Sequence, residues 1–95
     1  MAGPKSNSVT HNNISATTSA FALSGGKYGI TAMATWGGGN VQFQKLAQDG
    51  STWINIGSSI TANNYSTQDL PSGFYKWAVT TATAIYLEVA PIVEY

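Results

Sequence analysis

Few residues of this chain could do chemistry, and they lie far apart along it. The single histidine, His11, stands near the N terminus, and cysteine is absent. A nucleophilic triad needs a base held beside a hydroxyl, and a zinc site needs several His or Cys ligands. The sequence therefore predicts no catalytic residue, no metal ligand, no cofactor-binding residue and no bound cofactor, and it favours a protein that is not an enzyme.

The acidic residues are also isolated from one another. They are Asp49, Asp69, Glu88 and Glu94. Asp49 precedes Gly50, a pair that is typical of a turn because both residues tolerate positive φ. Two of the carboxylates could act as a glycosidase pair only if the fold brought them together around a substrate. We expect that it does not, and an enzyme is kept only as a third hypothesis.

Three short motifs resemble functional signatures. The run Gly37-Gly38-Gly39 lacks the Lys-Ser/Thr of a phosphate-binding loop and has no helical pattern after it, so we interpret it as a turn. The triplets 13–15 and 64–66 match the N-glycosylation pattern Asn-x-Ser. No secretory signal pattern is recognised in the polar N-terminal stretch, and we expect both matches to be accidental.

Charge is scarce. Charged residues make up 8% of the chain, against roughly a quarter in typical proteins. Arginine is absent and the net charge is zero, which argues against nucleic acid and against an anionic membrane as partners. The apolar runs are also far shorter than the roughly 20 residues that cross a bilayer. A surface of Ser, Thr, Asn and Gln either tolerates close neighbours or is simply neutral, and the composition leaves both interpretations open.

From residue 20 onward, the chain alternates apolar and polar residues in short runs between turns, which is the pattern of β-strands. The predicted strands span residues 20–23, 27–36, 40–46, 52–56, 65–70, 74–80 and 84–89, with a weaker one at 60–62. No helical period is found. We therefore predict an all-β fold, an antiparallel β-sandwich or jelly roll of about seven strands, with an extended N-terminal arm.

The chain divides into an arm and one domain. Residues 1–19 are polar, with Val9 and Ile14 as their large apolar groups, so we expect an arm that is flexible or ordered by a partner. It is either a docking arm or an inert terminus. Residues 20–95 form the predicted β-sandwich domain.

Aromatic residues offer two interpretations. Five of them could either stack on sugar rings at an exposed sheet face or fill the space between two sheets. They are Trp53, Tyr65, Tyr75, Trp77 and Tyr86. We favour the core for most of them, but Phe74 and Tyr86 fall out of phase with the inward positions. Some aromatic surface should therefore remain exposed as a contact site.

Residues 24–89 resemble small virion proteins of tailed bacteriophages. The similar features are the stretches SGGKYGITAMATWGGGNVQFQKLAQDGSTWINIG and LPSGFYKWAVTTATAIYLEV, together with the Ser/Thr/Asn-rich N-terminal extension. They include a DGS-W hairpin and an LP-x-G turn before an aromatic strand. The family that this implies is that of capsid decoration, or cement, proteins.

The resemblance implies a structural role. It predicts a protein on the outer capsid surface of the virion that binds the major capsid protein and copies of itself, with a trimer as one expected assembly. A head-fibre or tail-associated module would look similar. The alternative is a carbohydrate-binding module that attaches to host glycans.

Overall fold

The computed structural model describes residues 8–92, and within that range every regular element is a β-strand. The strands are β1 (Val9–Ile14), β2 (Phe21–Leu23), β3 (Gly26–Thr35), β4 (Asn40–Leu46), β5 (Trp53–Asn55), β6 (Asn64–Leu70), β7 (Gly73–Thr80) and β8 (Thr83–Pro91). They form two four-stranded antiparallel sheets. The first sheet has the order β1-β8-β3-β6, and the second has the order β2-β7-β4-β5. The predicted sandwich is confirmed, with eight strands instead of about seven.

The strand order is that of a jelly roll. Strand β1 pairs with β8, β2 with β7, β3 with β6 and β4 with β5. These are the pairs of one long hairpin, which is wound so that alternate pairs fall in opposite sheets. The pairings β3 to β8 and β4 to β7 then join the pairs within each sheet.

Period-two alternation places the inward residues of the central strands as predicted. In β3, Tyr28, Ile30 and Ala32 are buried between the sheets, and in β8 the inward positions are equally apolar. The core is completed from the other sheet by a group of aromatic rings. Phe43 lies between Tyr75 and Trp77, with centroid distances of 5.3 and 4.7 Å. Packing of this kind stabilises a domain that has no disulfide.

Two buried tyrosines fix the turns that precede their strands. Tyr28 donates a hydrogen bond of 2.5 Å to the carbonyl of Ser24, and Tyr75 donates one to the carbonyl of Pro71. In both cases the acceptor lies four residues upstream, across a glycine turn. The arrangement resembles a tyrosine corner, in which a core ring is tied to an irregular connection.

The glycine run of residues 37–39 is a turn, as predicted, but its third member is also held by packing. Gly37 and Gly38 have φ angles of 52° and 83°, which favour glycine. A Cβ on Gly39 would lie 2.1 Å from the carbonyl oxygen of Thr80 and 2.4 Å from the nitrogen of Ala82. The run therefore allows the connection between β3 and β4 to pass directly over the turn between β7 and β8.

The segment expected to be a free arm is largely packed on the sandwich. Val9–Ile14 forms β1, an edge strand paired with β8, and it has an irregular register between His11 and Ile14. Further along, the backbone N–H of Thr18 donates a hydrogen bond to the carbonyl of Trp77, and the Thr18 hydroxyl accepts one from the Trp77 N–H. The hydroxyl of Thr17 accepts a hydrogen bond from the Val79 N–H. Only residues 1–7 of the expected arm lie outside the described residues.

Sequence reasoning missed β1 because its alternation is interrupted. The bulge at residues 12–13, where Asn13 has a φ of 54°, breaks the period between His11 and Ile14. What makes the segment a strand is the free edge of β8, which binds its backbone groups.

His11 faces inward from β1. Its ring lies 5.6 Å from that of Phe21 at a tilt of 48°, and its Nδ1 atom is shielded from solvent without a hydrogen-bond partner among the described residues. Burial lowers the pKa of His11 below its usual value of 6.5. Glu88, the charged residue of the adjoining strand β8, lies on the opposite face of the sheet, and β2 has no charged residue.

The tyrosine–carbonyl bonds predict a specific effect on stability. We expect Tyr75→Phe to lower the free energy of unfolding by about 1 kcal/mol, because the carbonyl of Pro71 loses its partner while the ring stays in the core. Urea denaturation followed by tryptophan fluorescence measures this change. Tyr65→Phe is the matched control, since the exposed Tyr65 hydroxyl makes no hydrogen bond to the described chain, and it should change stability by less than about 0.5 kcal/mol.

The pKa of His11 predicts a loss of stability in mild acid. Near pH 6.5, His11 binds a proton more readily in the unfolded chain than in the folded one. The free energy of unfolding is therefore highest above that pH and decreases as the pH falls below it. Urea denaturation between pH 7.5 and pH 5 measures the slope. His11→Phe should remove most of this slope, and an equal slope in that variant would contradict the assignment to His11.

Candidate binding surfaces

The outer face of the first sheet carries exposed apolar side chains on β3, β8 and β6. Met33 and Tyr86 are cross-strand partners on β3 and β8, and Tyr65 on β6 pairs with Thr31 beside them. The exposed fractions are 49% for Met33, 42% for Tyr86 and 62% for Tyr65. Glu88, the partner of Thr31 on the other side, is the charged residue at the centre of this face. We call the set Met33, Tyr65 and Tyr86 the apolar face.

Tyr65 lies over a glycine. A Cβ on Gly29 would meet the Tyr65 hydroxyl at 2.9 Å and two ring carbons at 3.2 and 3.4 Å. The missing side chain therefore lets the phenol ring lie across β3, and Gly29 is buried beneath it. A large ring held against the sheet loses little conformational freedom when a partner covers it.

A shallow depression adjoins the apolar face. It has a volume of about 240 Å³ and lies between the outward residues of β1, β3 and β8. Thr10, Asn12 and Glu88 supply its polar wall, while Met33 and Tyr86 supply the apolar one. The face is therefore not flat, and a protruding side chain of a partner could enter it.

The outer face of the second sheet is more polar. Lys76 lies over the ring of Trp53, with 4.7 Å between Nζ and the centroid, and the amides of Gln44 and Asn55 are hydrogen-bonded at 2.9 Å. The lysine covers one side of Trp53, which limits that ring as a platform for stacking. Phe74, also on this sheet, is 53% exposed.

A cleft opens between the two sheets at the side where β6 ends the first sheet. Its volume is about 360 Å³. The floor contains Ile30, Phe43 and Trp77, and the connection between β5 and β6 forms the outer wall. This connection is attached by two bonds between the backbones of Ile60 and Val41, of 2.8 and 3.0 Å.

The same connection is attached at Asn63. Its Oδ1 atom accepts hydrogen bonds from Trp36 Nε1 at 3.0 Å and from the backbone N–H of Ala34 at 3.3 Å. The cleft therefore has a wall that is fixed at Ile60 and at Asn63.

The described carboxylates do not converge. Asp49 closes the turn between β4 and β5, where its side chain accepts bonds from the hydroxyl and N–H of Thr52 and from the Ser51 N–H. These bonds lower the pKa of Asp49 to about 2, with the Thr52 hydroxyl as the largest cause. Asp69 faces Lys27 across the β3 and β6 pair, and Glu88 lies in the middle of the first sheet. Within residues 8–92, no group of three or more His, Asp or Glu side chains could hold a metal ion.

The aromatic candidates divide between core and surface. Tyr75 and Trp77 are buried, as the core interpretation predicted, whereas Tyr65 and Tyr86 are exposed on the first sheet and Trp53 is half-buried on the second. They do not form one row on a single face. The predicted exposure of Phe74 and Tyr86 is confirmed.

Two features of these surfaces were not recognised in the sequence. The alternation of β3 puts Met33 on the face opposite Tyr28, but nothing in the residue pattern marks it as a contact residue. The cleft was not expected at all, although β6 gave a signal for it: its inward residues Ser66 and Gln68 are polar, and its first inward apolar residue is Leu70. A strand that borders a core normally has one apolar face.

Comparisons of this chain with models of known protein families, with characterised proteins and with solved structures find no match. Among residues 8–92 there is also no helix of the length and apolarity needed to span a membrane. The fold and the surfaces described above are therefore the basis for inferring function.

Proposed function

We propose that this chain is a structural protein of a virion that binds the outer capsid surface and stabilises or decorates the shell through protein–protein contacts. The apolar face is the docking surface, and the major capsid protein is the partner. The exposure of Met33, Tyr65 and Tyr86 on the outer face of one sheet is the observation that carries the proposal. Apolar groups clustered in this way are typical of interaction sites.

The composition of the face supports a protein partner. Tyrosine and methionine are enriched at protein interfaces, and charged residues are depleted at their centres. Here Glu88 is the central charge, and Lys27 and Asp69 lie together at the end of the sheet. The face can therefore be covered without burying several unpaired charges.

The fold is consistent with this role. Jelly rolls occur in viral capsid proteins and also in lectin domains. A shared fold does not establish a function, so this likeness supports a capsid protein and a glycan-binding protein equally. The resemblance of residues 24–89 to phage decoration proteins favours the former, and it implies self-association, with a trimer as one expected assembly.

Substitutions on the apolar face should weaken capsid binding. We expect Tyr65→Thr and Tyr86→Thr each to raise the dissociation constant for capsids roughly 30-fold, the effect of losing a central interface residue. Threonine keeps the strand propensity. Co-sedimentation with empty capsids of the phage that encodes the chain measures the binding, and circular dichroism checks the fold.

Phe74→Thr is the matched control, because it removes an equally exposed ring from the other sheet. It should leave the dissociation constant within about twofold. Loss of binding in Phe74→Thr alone would assign docking to the second sheet, and wild-type protein that fails to bind capsids would exclude the proposed function.

The arm is tested by a short truncation. Deleting residues 1–19 would remove β1 and the contacts of Thr17 and Thr18, so the deletion must end at residue 7. If these residues reach a neighbouring subunit, their loss should weaken capsid binding about tenfold by removing a second point of attachment, without changing the melting temperature. Unchanged binding would show that residues 1–7 take no part in docking.

A further inference from the structure

The inward side of β6 carries polar residues, whereas the inward sides of the central strands are apolar. Ser66 pairs with Ile30 and Gln68 pairs with Tyr28, so both polar side chains lie on the face that elsewhere carries the core. Both are half-buried and line the cleft. Polar residues at inward positions weaken a core, and such local departures are expected at functional sites.

Four polar side chains that line the cleft have no hydrogen-bond partner in the described chain. The side chains of Ser58, Ser59, Ser66 and Gln68 make no hydrogen bond to any described part of the chain. Gln68 reaches toward the opposite wall, since a Cβ on Gly57 would lie 3.8 Å from its Nε2 atom. Hydroxyl and amide groups that both donate and accept therefore border one cavity from two sides.

Trp77, which lines the cleft, carries a further donor. The indole nitrogen of Trp77 is shielded from solvent and has no hydrogen-bond partner among the described residues. Burying such a donor without a partner is unfavourable. Trp77 is one of the residues that line the cleft, so an acceptor that reached this nitrogen from the cleft would give it a partner.

The lining selects the class of ligand. None of the described residues that line the cleft is charged, and its volume of about 360 Å³ is near the lower end for small-molecule sites. Serine, asparagine and glutamine side chains at the rim match the hydroxyls of a sugar, and the apolar floor matches its C–H groups. We propose that this cleft binds a neutral saccharide of one or two rings. The site is separate from the apolar face, so the inference does not depend on capsid docking.

The test is a titration of the full chain labelled with ¹⁵N. The probes are free glucose, galactose, N-acetylglucosamine and lactose, each added up to about 50 mM, which detects millimolar binding. We expect at least one of them to shift the indole N–H resonance of Trp77 and the side-chain amide resonances of Gln68 in a saturable way. Trp53 is an internal control on the outer face of the second sheet, and its indole resonance should not move.

Variants of β6 separate binding from folding. Gln68→Leu should weaken binding of the active sugar at least tenfold while keeping or raising the melting temperature, because leucine suits an inward position. Thr67→Ala changes the neighbouring outward residue and should leave the affinity within twofold. Glucuronate should bind more weakly than glucose, since the lining has no positive charge to pair with its carboxylate.

Three results would overturn the proposal. One is the absence of a saturable shift with all four sugars. Another is a set of shifts confined to Trp53, Tyr65 and Tyr86, which would place the sugar on the outer faces. The third is equal affinity in wild type and Gln68→Leu, which would exclude the cleft even if a sugar binds.

Discussion

The structure depends on the packing of β3 and β8 against β4 and β7 across a core in which no described polar or charged residue is fully buried. Each of these central strands has neighbours on both sides, so its backbone is paired and its inward side chains need only be apolar and fit together. The stacked rings of Phe43, Tyr75 and Trp77 fill the second sheet's side of this interface. The edge strands, turns and surfaces are positioned by it.

The edge strands are not subject to the same requirement for apolar inward residues. Strand β1 has an irregular register and an inward histidine, and β5 has only three residues. Strand β6 has serine and glutamine where a central strand would have core residues. Each departure lies at the margin of the sandwich, where polar groups reach solvent and cost less. The cleft lies at the margin formed by β6, and the inward side chains of Ser66 and Gln68 line it.

The surface is distinguished by its low content of charged residues. With eight formally charged side chains in 95 residues, the molecule has little electrostatic repulsion to keep copies or partners apart. The apolar face lies on the first sheet, where Met33, Tyr65 and Tyr86 are exposed. A surface with few charges and an apolar face suits a protein that remains attached to a large assembly, because contact at that face requires little desolvation of charge.

The sequence by itself determined the fold class and most strands. The alternation in β3, β4, β7 and β8 is strict enough that Tyr28, Phe43 and Leu87 could be assigned to the core directly, and the Asp49-Gly50 turn followed from residue type. These are local properties, set by the period of a strand and by the φ angles a residue tolerates.

Tertiary structure decided what local pattern does not contain. The pairing of β1 with β8 joins residues about 75 positions apart, and the covering of Gly29 by Tyr65 joins two strands that are distant in the chain. The division of the aromatic residues between core and surface depends on which sheet each strand enters. The cleft arises only when both sheets are present. Such features depend on contacts between distant residues, and the order of residues along the chain carries no direct record of them.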